Sequence, residues 1–222
     1  VTSSELLPKS EDVRLACAFI PEADKRADVL VLFAFLETLR DIPERVTDPL
    51  MGEIRLRWWF EAIEEIEQGR AVRYHPLTEA LKAIITCYHL SPKDVFNLIE
   101  GQMPLLDKGP LTIKDALSVV DRGEGVLFRL AAQILGETAN LTDIARLIGM
   151  AHIKASRGLS DAGDMEFAHL RREAVKAAKG LPVAVMPLAL QATLVGDIWH
   201  GRTPGPLAKR LRLFWAFVTG RI

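Results

Sequence analysis

Val29, Leu32, Phe33, Leu36 and Leu39 fall three or four residues apart. That spacing lines one face of an α-helix. Leu30 and Phe35 widen the face, so this segment is expected to be buried on most sides. A second helix starts at Asp48-Pro49 and carries Arg57, Trp58 and Trp59. Asp48 offers an N-cap oxygen, and Pro49 is a first-turn residue with no N–H left over. Trp58 and Trp59 lie ~100° apart around the helix, so burying both needs neighbours on two sides. Arg57 and Glu61 are four apart and are expected to pair on the solvent side. Between the two helices lies a charged break, Arg40-Asp41-Ile42-Pro43-Glu44, with Pro43 read as the helix end.

The helical period continues along the chain, and alternating strand patterns are nearly absent, which predicts an all-α fold. Ser91-Pro92 and Thr112-Ile113-Lys114-Asp115 repeat the start signals, and Gly69, Gly136 and Gly180 read as helix stops. Helices are expected near 11–19, 24–41, 49–68, 76–89, 92–103, 113–135, 141–160, 164–179, 182–200 and 205–219. The short connections imply a helical bundle. With 222 residues, 49% of them hydrophobic, one core and one domain over residues 1–222 are expected.

A net charge of −1 gives no reason to expect nucleic acid as a partner. Cys17 and Cys87 lie far apart and form no metal or redox motif. The longest unbroken apolar run, Val29–Leu36, is about half of what a bilayer span requires. The polar start VTSSELLPKSED has no apolar signal core, so the expected location is cytoplasmic. Dinucleotide, P-loop, zinc-protease and serine-elbow motifs are all missing. His75, His89, His152, His169 and His200 are scattered and read as structural or exposed.

Three groups of residues carry chemistry. Asp41 and Glu44 are three apart and could share a helix face; paired carboxylates with phosphate oxygens suit magnesium. The same pattern fits a helix end solvated by charge. Asp161 and Asp164 repeat the spacing beside Gly163, where a helix–helix turn with Asp164 as cap fits equally well. The third group is Pro206–Val218, where Lys209, Arg210 and Arg212 stand among Leu211, Leu213, Phe214, Trp215 and Phe217. Lys209, Arg210, Arg212 and Trp215 could meet an anionic membrane surface, peripheral to an inner membrane. The alternative is a docked terminal helix whose basic side chains snorkel to water.

Leu32-Phe33-Ala34-Phe35, Gly52–Trp59 (GEIRLRWW), His75-Pro76-Leu77, Val126–Gly136 (VLFRLAAQILG), Leu147–Ala151 and Leu181–Leu190 come in an order that resembles the squalene/phytoene synthase family. The resemblance runs from about Asp12 to Phe217 and implies the all-α isoprenoid (terpenoid) synthase fold. Active members, it implies, join two prenyl diphosphates head to head, with magnesium ions held by two aspartate-rich motifs. Against a first motif of the form AFCRxxDDxxD, this chain keeps Asp41, has Glu44 for the last aspartate, and places Arg40 and Glu37 where the family has an aspartate and an arginine. Against QxxNIxRDVxED, it has Ile153, Ser156, Leu159 and Ser160, with Asp164 retained and Asp161 displaced by one place. Replacing a carboxylate by Arg40 at about 6 Å from a divalent ion, at an effective dielectric near 20, disfavours the ion by roughly 10 kcal/mol before screening. A quarter of that is about a hundredfold in affinity.

Within the family, the chain most resembles the branch containing the mitochondrial complex I assembly factor and its bacterial relatives. The reading that follows is a non-catalytic protein that binds a partner protein or an isoprenoid or lipid ligand, with no cofactor expected. The alternative is an active head-to-head prenyl transferase that uses Mg2+ through Asp41, Glu44, Asp161 and Asp164. Arg40 would then contact diphosphate directly.

Overall fold

The computed structural model describes residues 6–161 and 163–222; Ala162, inside the second acidic group, lies outside the described residues. The elements are helical, and among the described residues the only β feature is one isolated bridge between Leu111 and Leu159.

Helix α1 (Glu11–Cys17) leads into the long α2 (Ala23–Arg45), followed by α3 (Pro49–Glu67), α4 (Pro76–Tyr88) and α5 (Pro92–Glu100). Helix α2 packs against α1, α3, α4, α5 and, further along the chain, α7 (Val126–Ile134), which explains why it is apolar on most sides. All five residues of its predicted stripe are buried, as is Phe35. Helix α2 runs through Pro43 to Arg45 instead of ending near Asp41. Pro43 and Ile42 are buried there, and Lys108 donates to the Pro43 carbonyl. Tertiary packing thus offsets the lost backbone hydrogen bond.

Local signals account for the next starts. Asp48 accepts from the Leu50 N–H at 3.0 Å. His75 Nδ1 accepts from the Leu77 N–H, and the Thr78 hydroxyl accepts from the His75 N–H, both at 3.1 Å. Trp59 is buried against Phe35, while Trp58 is half-buried and takes the Arg73 guanidinium over its ring. Arg57 donates to Glu61 at 3.2 Å.

The expected helix 113–135 is three pieces: α6 (Ile113–Val120), a π-helical turn (Asp121–Gly125) and α7 (Val126–Ile134). The wide turn packs against α5, α6, α7 and α8 (Thr142–Arg157). Asp121 anchors it by a two-pronged pair with Arg146 of α8, at 2.7 and 2.9 Å. Gly149 of α8 makes the approach possible, because a Cβ there would lie 2.6 Å from Val120 Cγ1 and 2.8 Å from Glu124 Cδ. Helix α9 (Asp164–Ala178) packs on α8. The expected helix 182–200 is broken into α10 (Met186–Ala189), a 3-10 turn (Leu190–Thr193) and α11 (Val195–Trp199); α12 (Pro206–Thr219) closes the described chain. None of the described helices is long and apolar enough to cross a membrane.

Candidate functional site

A cavity of about 230 Å³ lies between α2, α7 and α8. Phe33, Leu36, Leu127, Phe128 and Ile148 form its apolar wall, with Glu37, Glu44 and Arg157 at the wetter end. Its polar centre is Glu124, carried inward by the π turn and only 2% exposed. Arg40 of α2 makes a close ion pair with Glu124, and His152 Nδ1 of α8 lies 3.6 Å from the same carboxylate oxygen. The Arg40 contact is an ion pair; neither Glu124 oxygen meets a well-aligned hydrogen-bond donor. Gln191, from the 3-10 turn, also lines the cavity, with its Nε2 unpartnered.

Burial alone would push the Glu124 carboxyl up. The Arg40 charge, joined by His152, outweighs it and holds the group at about 2. Arg40 and Glu124 therefore compensate each other inside the cavity, where a lone charge would be costly.

The acidic residues singled out in the sequence do not converge here. Glu44 reaches the cavity, whereas Asp41 is held by Lys9 and by Arg45, the latter at 2.9 Å. Helix α8 stops at Arg157, and Gly158 turns the chain with φ 79°. Ile153 and Ser156 remain on the cavity wall, but Asp161 and Asp164 leave it. Asp161 accepts the Ile113 N–H at 3.1 Å. Asp164 accepts the Trp199 indole N–H at 2.8 Å; that bond and nearby Lys154 lower its carboxyl pKa. It is the first residue of α9, and Gly163 takes the cap position.

In the last helix, Lys209 is turned inward onto Asp12 and Glu11. Arg212 pairs with Asp197, and Arg210 and Trp215 stay exposed. The residues that sequence reasoning missed are Glu124, His152 and Gln191. Glu124 had a signal: it interrupts the spacing Val120, Glu124, Leu127 with a charge on a buried face, between two glycines.

The squalene/phytoene synthase family pattern matches residues 7–153, well over half of the chain. The chain belongs to this family. The match covers most of the cavity lining, including Arg40, Glu124 and His152, but not Ser156, Arg157, Gln191 or the acidic group at Asp161 and Asp164. Among curated relatives, human NADH dehydrogenase (ubiquinone) complex I, assembly factor 6 is 23% identical over 156 residues, covering 70% of this chain and 45% of that protein. The Bos taurus assembly factor 6 is 22% identical over 156 residues, again covering 70% and 45%. The matched stretch spans less than half the length of either relative.

Magnesium is the metal that the family's reaction implies, and it takes near-octahedral oxygen donors at close to 2 Å. Here one candidate carboxylate is tied to two cations, and two others accept hydrogen bonds outside the cavity. Among the described residues no three acidic, histidine or cysteine side chains gather as a metal site. Arg40 instead brings a cation into the cavity. This donor set does not fit a magnesium–diphosphate cluster.

Proposed function

We propose that this member of the family works by binding rather than by prenyl transfer, as a factor in the assembly of a respiratory complex. The observation that carries the first half is the Arg40–Glu124 pair, a neutralised charge couple inside the cavity. It supplies neither a free carboxylate for a metal nor a free guanidinium for a diphosphate. The volume argues the same way: about 230 Å³ lies below the roughly 300–1,000 Å³ of common ligand sites, and head-to-head transfer needs room for two prenyl diphosphates. A small cavity favours a protein partner over a long isoprenoid or lipid ligand. The assembly role rests on the two relatives, whose names carry it.

Two experiments test the reading. Incubation with farnesyl or geranylgeranyl diphosphate and Mg2+ is expected to release no inorganic diphosphate above the protein-free control. Release that disappears in Asp41→Ala would favour the transferase instead. Deleting the gene in its host and following respiratory complex I on native gels is expected to show less assembled complex; unchanged assembly counts against the role.

A further inference from the structure

Helix α12 is amphipathic in an unusual sense: it has two apolar faces. Leu213 and Ala216 point into the protein and are buried. On the opposite side, Leu207, Leu211, Phe214, Trp215 and Val218 are all exposed, with Leu207 at 71% and Trp215 at 60%. Their spacing is i, i+4, i+7, i+8, i+11. At ~100° per residue they fill one stripe about 100° wide, turned away from the protein. Arg210 falls at one edge of that stripe and Arg212 at the other. Such a contiguous exposed stripe is uncommon on a surface that water alone covers.

Charge indicates what covers it. From Arg202 to Ile222 the sequence has five Lys or Arg and no Asp or Glu, in a chain whose net charge is −1. A groove beside the helix is lined by Arg171, Arg202, Arg212 and Arg221, with Asp197 as its one carboxylate. Asp197 pairs with Arg202 at 3.1 Å and also with Arg212, which leaves the groove net positive.

We infer that the outer face of α12 lies in the surface of an anionic phospholipid bilayer. The stripe enters the boundary between headgroups and acyl chains, Trp215 sits at headgroup depth, and the flanking arginines meet lipid phosphates. Lys209 takes no part, because it is turned inward onto Asp12. The surface is separate from the cavity and does not depend on how the cavity is used.

Co-sedimentation with vesicles tests this. Vesicles of phosphatidylcholine with about one third phosphatidylglycerol are expected to bind the protein at least tenfold better than pure phosphatidylcholine, with affinity falling as salt is raised. The variant Leu211→Glu/Phe214→Glu is expected to lose at least tenfold while keeping the wild-type circular dichroism spectrum. Arg210→Glu/Arg221→Glu, which leaves the apolar stripe intact, is expected to lose the preference for anionic lipid. No binding to either vesicle overturns the proposal, as does binding that Leu211→Glu/Phe214→Glu leaves unchanged. Sedimentation velocity without lipid separates the other occupant: a dimer that Phe214→Glu abolishes would assign the stripe to a second copy of the chain.

Discussion

Replacing Arg40 with methionine keeps an unbranched apolar stem and removes the charged guanidinium. Glu124 is then buried with only His152 beside it. In the wild type its carboxyl is lowered from 4.5 to about 2. At 1.36 kcal/mol per unit, that is roughly 3 kcal/mol of stability. Because the folded value is depressed, this stability is fully present above pH 4.5 and fades as pH falls toward 2. In Arg40→Met, burial dominates and raises the carboxyl above its unfolded value. The variant is then penalised at neutral pH and relieved once Glu124 is protonated. Urea unfolding followed by circular dichroism at about pH 7.5 is expected to show a loss of about 3–5 kcal/mol, the usual cost of orphaning a buried ion. Near pH 4 the gap between variant and wild type is expected to narrow. Arg40→Met/Glu124→Gln should recover most of the loss, since the unpaired charge is gone. A loss under about 1 kcal/mol, or the same loss at both pH values, would refute the buried couple.

Three further outcomes follow from local geometry. Gly149→Ala drives a Cβ into Val120 and Glu124, so thermal denaturation should show about 1–3 kcal/mol of destabilisation. His75→Ala removes the cap of α4 and an edge-on contact to Trp59, and should cost about 1 kcal/mol or slightly more in urea unfolding. Asp41→Ala touches only solvent-side pairs and should change stability by no more than about 1 kcal/mol.

Most of the fold was readable because its signals are local. Asp48-Pro49 and Thr112–Asp115 announce helix starts with side chains that act within one turn, and the α2 stripe states which face is buried. Pro43 misled because long-range packing decides whether a proline ends a helix. The π turn was invisible because its cause lies on α8, where Gly149 leaves room and Arg146 binds Asp121. The candidate site was half legible. Arg40 was marked by its departure from the family motif, but its partner Glu124 is 84 residues further along the chain. Nothing local in the sequence joins them. Asp161 and Asp164 drew notice by spacing, yet Gly158 turns both away from the cavity.

We propose that the Arg40–Glu124 couple stands where active members of the family hold a metal–diphosphate cluster. Isothermal titration with farnesyl diphosphate, run with and without Mg2+, tests it most directly. No magnesium-dependent binding is expected up to ligand concentrations of about 1 mM, and the trace is expected to be the same with and without the metal. Binding in the micromolar range that appears only with Mg2+ would contradict it.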